Sequence, residues 1–473
     1  MKGQGTEHVR ERGRLDIFRL SFGMGFGELL SASLASLLNY YYVRTMGLSD
    51  GYFLLAQTVY AIYNAINDPL IGYVTNRRFR FTEKLGKTTP FIMAGGALSL
   101  FMAVLVYSAP LNGQLGMMLW MLGTLCLCDT FYSMFYVNYT ALLPVVVRGK
   151  KQRVNLGTGT AAVSTVCMLL GFILPEFGDI TKSSGYLLPM LLTAAVGLVL
   201  LVVLFPSVRE EPALTRELLR KEGEGKSFFE LLKLTLRLKN FICYILVFLS
   251  FQVLSLTAIA SLPYFAEYVM GLPLDQINSA RTMLILVEFV GVFASLPVWS
   301  KLAKRYEFRT ILGICGVALS LSCLPMFFLT SLIPLYICFF LLGLSVGGFW
   351  SLLPPVFNDV LDEVSFITGT HDEGVFAGIR TFFARGALVI QSFIYFIVRG
   401  ITGINPEVTA ETATGSMRLG IRFEMFGIGI LMILATSVLF LRKYDLTGQK
   451  LADIRYALDT RDGASKGESY DQA

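Results

Sequence analysis

Histidine is nearly missing from this chain, with only His8 in a polar N-terminal stretch and His371 in a polar loop among 473 residues. A zinc site or a histidine-based acid–base centre is hard to build from two residues so placed. Seven cysteines, at 126, 128, 167, 243, 315, 323 and 338, include no C-x-x-C pair and all fall in apolar stretches. They read as packing residues. The string GKTTP at 86–90 lacks the spaced glycine of a phosphate-binding loop. Without a nucleophile, metal cluster or phosphate loop, no catalytic residue and no metal site is expected, and the chain does not read as an enzyme. Charge is also scarce, at 16% of residues against 54% hydrophobic.

That apolar excess is more than one water-soluble core can bury, so the solvent for most of the chain must be lipid. Apolar segments, each able to cross a hydrocarbon layer as a helix, run at approximately 17–43, 52–76, 89–109, 115–147, 154–175, 186–206, 241–269, 277–300, 309–330, 332–358, 374–400 and 419–441. The expected fold class is an all-α membrane protein of about twelve transmembrane helices. The N-terminal stretch MKGQGTEHVRERGRLD is polar for too long to be the n-region of a cleaved signal peptide.

The net charge of +6 does not point to nucleic acid, because Lys and Arg sit in short loops and form no continuous patch. Arg10, Arg12 and Arg14, then Arg77, Arg78, Arg80, Lys84 and Lys87, then Arg148, Lys150, Lys151 and Arg153, and then Lys301, Lys304, Arg305 and Arg309 all fall on one side. The connection at 207–240 and Arg442 and Lys443 join them, so both termini are expected to be cytoplasmic in a cell membrane. The organisation expected is a six-helix bundle at 1–206, a connecting loop at 207–240 with an amphipathic segment, a second bundle at 241–443 and a polar, disordered tail at 444–473. A basic loop after the second helix of each half, RRFRFTEKLGK and KLAKRYEFR, is a faint internal repeat.

Ionisable residues inside apolar spans cost roughly 2.5–3.5 kcal/mol on insertion scales, which makes the few present informative. In the second helix Asn64, Asn67 and Asp68 stand at i, i+3 and i+4, bringing a carboxylate and two amides to one face where oxygen ligands suit Na⁺ or a proton. Pro69 frees a backbone carbonyl one turn earlier. The fourth helix presents Asp129, Tyr132, Ser133, Tyr136 and Thr140 as a polar and aromatic stripe that can line a pocket or pack between helices. The acidic loop NDVLDEVSFITGTHDEG places Asp359, Asp362, Glu363, Asp372 and Glu373 on the same side as Arg77 and Arg78, where charge pairs can form.

NDPLIGY with its basic loop and GKTTPFI resembles the DP-x-x-G and GK-x-x-P pattern of the glycoside-pentoside-hexuronide:cation symporters, the melibiose-carrier type. The likeness extends to SFGMGFGELL, LLPVVVRGKKQR, FWSLLPPVFNDVLDEV, EGVFAGIRTFFARG and LGIR, and covers most of the chain. It implies a major facilitator fold and sugar uptake driven by H⁺, Na⁺ or Li⁺, with no cofactor. Asp68 matches the family's cation carboxylate, Ser133 a supporting hydroxyl, and Arg385 a buried lysine of the eleventh helix. Asn64 stands where the sodium-using carrier has another Asp, so one negative charge is lost and H⁺ is favoured over Na⁺. Glu28 falls at a sugar-binding Asp, Trp350 at an aromatic of the tenth helix, Tyr136 at a second sugar-binding Asp and Ala161 at its Arg partner. The last two departures put galactoside recognition in doubt. By the same resemblance the pairs of Arg77 and Arg78 with Asp359, Asp362 and Glu363 hold the cytoplasmic side shut.

The expected activity is cation-coupled symport of a small-molecule sugar or glycoside by alternating access, in a monomer embedded in the lipid bilayer. Asn64, Asn67, Asp68 and Ser133 are expected to hold the cation. Glu28, Asp129, Tyr132, Tyr136, Thr140, Trp350 and Arg385 are expected to surround substrate. Two alternatives stay open: a lysophospholipid or other amphiphile transporter of the same fold, and a membrane sensor or scaffold that no longer transports.

Overall fold

The computed structural model describes residues 13–75, 79, 82–110, 113–147, 150–210, 228–368, 373–405 and 408–458. Among the described residues every regular element is helical. The long helices are α1 (Arg14–Asn39), α2 (Asp50–Thr75), α3 (Thr89–Val106), α4 (Gly113–Val146), α5 (Lys150–Ile173), α6 (Leu187–Val208), α7 (Lys239–Tyr264), α8 (Leu274–Ala303), α9 (Phe308–Cys323), α10 (Leu332–Thr368), α11 (Glu373–Thr402) and α12 (Gly415 to Lys443, through a π turn at Phe423–Gly427). Eleven of them are long and apolar enough to cross a membrane. The exception is α2, whose Gln57, Asn64, Asn67 and Asp68 lower its apolarity. Side chains as large as Phe328 and Ile401 are 81% and 80% exposed, which only a hydrocarbon solvent accommodates without cost.

The described residues of Met1–Glu224, with Leu274–Thr282 and Asn405–Glu407, form one compact unit, and those of Gly225–Pro273, Met283–Ile404 and Val408–Ala473 form another. The two have the same internal plan. In unit 1, α1 packs on α5 and α6, and α3 packs on α4 and α6; in unit 2, α7 packs on α11 and α12, and α9 packs on α10 and α12. The repeat extends to helix ends. Both α1 and α7 run into a π turn, Tyr40–Thr45 and Phe265–Val269, followed by Met-Gly-Leu. Gly47 and Gly271 there adopt φ of +75° and +67°, which a side chain would strain.

Two expectations change. Asp359, Asp362 and Glu363 lie on the last turns of α10 and not in a loop, because Val356, Val360 and Val364 continue the buried helical face past the apolar run. The tail is ordered over 444–458: Tyr444 is buried and stacks on Phe440 at 4.3 Å, and a helix follows at 448–458. Of the connection at 207–240, the described part includes a short helix at Phe228–Thr235.

Candidate functional site

The polar face of α2 meets α4 inside unit 1. Asn64 and Asn67 each donate from Nδ2 to Oδ2 of Asp129, the latter at 3.3 Å, and the Tyr60 hydroxyl donates to Oδ1 at 3.2 Å. The Ser133 hydroxyl donates to Oδ1 of Asp68, and Asn67 Nδ2 also reaches Ser133 Oγ at 3.4 Å. Tyr63 completes the layer, its hydroxyl 2.5 Å from Thr130 Oγ1 and 3.4 Å from the Asn67 amide oxygen. Asn64, Asn67, Asp129 and Ser133 are buried, while Asp68 is half-buried. The helical spacing of α2 explains the convergence. Residues 60, 64 and 67 stack on one face, opposite 129 and 133, which are themselves one turn apart. The arrangement gathers two carboxylates, two amides and hydroxyls, all hard oxygen ligands of the kind that hold alkali cations or protons. Asp129, expected beside substrate, thus joins the residues expected to hold the cation.

The aromatic stripe continues along α4. Tyr132 stacks on Tyr136 at 5.8 Å and Tyr136 is 36% exposed. Gly27 on α1 admits Tyr132, since a Cβ there would lie 2.5 Å from the Tyr132 hydroxyl. The next residue, Glu28, is half-buried on the same helix. Thr140 turns its hydroxyl back onto the Tyr136 carbonyl at 2.9 Å, so that donor is spent within the helix. In unit 2, Trp350 meets the Phe289 ring edge-on at 5.8 Å, and Arg385 is half-buried on α11.

Residues 20–448 match the family described as MFS/sugar transport protein. The chain belongs to that family. It is similar to the sodium-dependent lysophosphatidylcholine symporter 1-A of Danio rerio, at 23% identity over 76% of this chain and 72% of that protein. A lactose permease of Lactobacillus delbrueckii subsp. bulgaricus is 22% identical over 88% of this chain and 67% of that protein. Among solved structures, a bacterial homologue of the human lysosomal transporter Spinster, inward-facing and unoccupied, superposes with a TM-score of 0.66 at 14% identity, covering 91% of this chain and 97% of that one. This major facilitator protein is therefore a multi-pass membrane transporter of symporter type.

The acids expected to form the gate of this transporter have partners in the tail. Arg455 contacts Asp359 at 2.7 Å and Asp362 at 2.9 Å, and Lys450 contacts Glu363 at 3.3 Å and Asp445 at 2.6 Å. Asn240 donates to both Glu363 oxygens and to Asp445. Arg77, Arg78 and Asp372 lie outside the described residues, as does the side chain of Glu373. Glu210 explains the GK-x-x-P string: its carboxylate accepts from the Lys87, Thr88 and Thr89 amides at 2.8, 2.5 and 3.2 Å and from the Thr88 hydroxyl at 2.6 Å, a carboxylate held at the N-terminus of α3.

The sequence reading missed the most deeply buried charges. Arg399 on α11 and Glu424 on α12 form a bidentate pair with both contacts at 3.0 Å, at 2% and 0% exposure. The guanidinium lies over the Tyr264 and Tyr395 rings at 4.3 and 4.5 Å. An ionisable residue inside each of two spans was the available signal. Arg281, wholly buried on α8, was likewise overlooked.

Proposed function

We infer that this protein is a cation-coupled symporter that moves a small organic substrate, a sugar or glycoside, by alternating access. The observation that carries the reading is the α2–α4 layer in which Ser133 holds the Asp68 carboxylate. In this reading Asp68, with Asn64, Asn67 and Ser133, binds the driving cation. Substrate is met in unit 1 by Glu28 and the Tyr132–Tyr136 stack, aromatic faces packing on apolar surface while the carboxylate orients hydroxyls. The protein works as a monomer in the cell membrane with both termini in the cytoplasm, consistent with the one-sided basic loops. Arg455 and Lys450 of the tail, by holding Asp359, Asp362 and Glu363, couple the end of α10 to that face.

A second cargo has a specific observation in its favour: the named relative from Danio rerio is a lysophosphatidylcholine symporter. A choline-type headgroup suits the Tyr132 and Tyr136 rings through cation–π attraction. The deciding experiment is uptake into proteoliposomes under imposed Na⁺, Li⁺ or proton gradients, with a sugar and glycoside mixture and, separately, labelled lysophosphatidylcholine. Gradient-driven accumulation of one class that disappears in Asp68→Asn supports the reading and selects the cargo. Accumulation that Asp68→Asn leaves unchanged removes Asp68 from the coupling role and the reading with it.

A further inference from the structure

Arg399 shows how unit 2 completes a buried guanidinium: two tyrosine rings lie against it and the Glu424 carboxylate takes its N–H groups. A second guanidinium of the same unit has the rings without the acid. Arg380, two turns into α11, holds its Cζ 5.2 Å from the Phe248 ring of α7 and 5.3 Å from the Phe357 ring of α10. Both rings are buried, and Tyr244 joins them in one wall, stacking on Phe248 at 6.0 Å and on Phe357 at 5.3 Å. The Tyr244 hydroxyl lies beside the Arg380 guanidinium, is buried and meets hydrogen-bond geometry with no partner. Among the described residues no carboxylate pairs with Arg380.

A ring covers the flat face of a guanidinium and attracts its charge, but the N–H donors point outward in the guanidinium plane and are not used by a ring. A cation in that setting costs free energy until an anion meets those donors, and a buried hydroxyl without an acceptor adds to the cost. One oxyanion at the edge of Arg380 answers both, accepting from the guanidinium and from the Tyr244 hydroxyl. We propose that Arg380 and Tyr244 form an oxyanion-binding site within unit 2, in which Phe248 and Phe357 hold the guanidinium flat. It takes a carboxylate or a phosphate, the counter-ion that Glu424 supplies to Arg399. A dissolved anion and a lipid headgroup offer the same oxygens. The site is read by binding, so uptake that fails under every gradient leaves it standing.

The test uses the purified full-length protein in a maltoside detergent, whose neutral headgroup brings no phosphate. Potassium phosphate, potassium acetate and a short-chain phosphatidylglycerol are titrated in turn at constant ionic strength, read as heat and as thermal stabilisation. At least one of the three binds wild type. Arg380→Gln weakens that binding at least about tenfold, as loss of a charge-assisted contact demands. Tyr244→Phe weakens it about three- to tenfold, while the anion-free variant melts no lower than wild type because the hydroxyl removed had no partner. A merely structural tyrosine would show the reverse. Binding of phosphate or acetate assigns the site to a dissolved anion, and binding of the phosphatidylglycerol alone assigns it to a lipid headgroup. The proposal falls if none of the three binds, or if a folded Arg380→Gln keeps wild-type affinity. Should Arg380→Gln not fold, Tyr244→Phe decides, and wild-type affinity in that variant overturns the site.

Discussion

The two units share a helix-packing plan but treat buried charge differently. In unit 1 the described hydrogen bonds to Asp68 and Asp129 come from amides and hydroxyls. In unit 2 Glu424 receives both arms of the Arg399 guanidinium, backed by Ser261 at 3.4 Å and two tyrosine rings. Amide and hydroxyl donors position a carboxylate, whereas a bidentate guanidinium also supplies it with a matching charge. The comparison separates a hydrogen-bonded polar layer from a buried ion pair. A second contrast stands at the helix ends: α3 begins by cradling the Glu210 carboxylate, while the first turn of α9 carries Arg309, whose Nε donates to the Leu441 carbonyl at 2.6 Å. Both neutralise a helix terminus, with opposite signs.

The sharpest way to break the comparison is to unpair the held charge. Arg399→Met leaves Glu424 buried without its guanidinium and is expected to cost about 3–5 kcal/mol, seen as poor yield and a large fall in melting temperature in detergent. Arg399→Met with Glu424→Leu should recover much of that loss. If the single variant melts like wild type, the pair is not the anchor of unit 2. Asp129→Asn should by contrast keep most of the stability, because the carboxylate already faces amides and the substituted side chain is nearly isosteric; a change of about 1–2 kcal/mol is expected from the same melting curves.

Next in size is the α1–α4 approach. Gly27→Ala forces Tyr132 to shift and should destabilise by about 1–3 kcal/mol, with Tyr132→Phe, which removes the nearest atom, relieving part of it. Equal melting of Gly27→Ala with and without Tyr132→Phe would show that the hydroxyl is not the obstacle. Smaller still is the docking of Leu274–Thr282 in unit 1, where Glu176 accepts from Ser279 at 2.6 Å and Thr282 at 3.0 Å. Glu176→Ala should speed hydrogen exchange of 274–282 by roughly five- to tenfold, the loss of about 1 kcal/mol.

The smallest effect concerns pH. Burial pushes the Asp445 carboxyl up, but hydrogen bonds from Lys450, Asn240 and Lys239 outweigh it and hold the group at about 2. A depressed carboxylate stabilises the tail fully above its ordinary value of 3.8 and loses that contribution as pH falls through about 2. With 43% of the side chain exposed, solvent screens most of it. Pepsin cleavage within 448–458 should rise across that acid window in wild type and show a flatter profile in Asp445→Asn.

The helical count and the polar face of α2 were legible because each is local: runs of apolar residues and a 3, 4 spacing. The ends of α10 and the tail were not, since the acids of α10 looked like a loop until Arg455 and Lys450 supplied partners about ninety residues on. Arg399 and Glu424 were each visible as odd residues in a span, but nothing local says that α11 and α12 place them face to face.

By itself, then, the sequence determined the lipid-facing helices and the polar face of α2, because backbone satisfaction in hydrocarbon and helical periodicity act within one segment. Only the tertiary structure decided that Asp129 is hydrogen-bonded to that face, that a glutamate caps α3 and that the tail holds α10. Each of these depends on side chains brought within hydrogen-bond reach from different helices, where a shift of one residue in helix register points the same group into lipid instead.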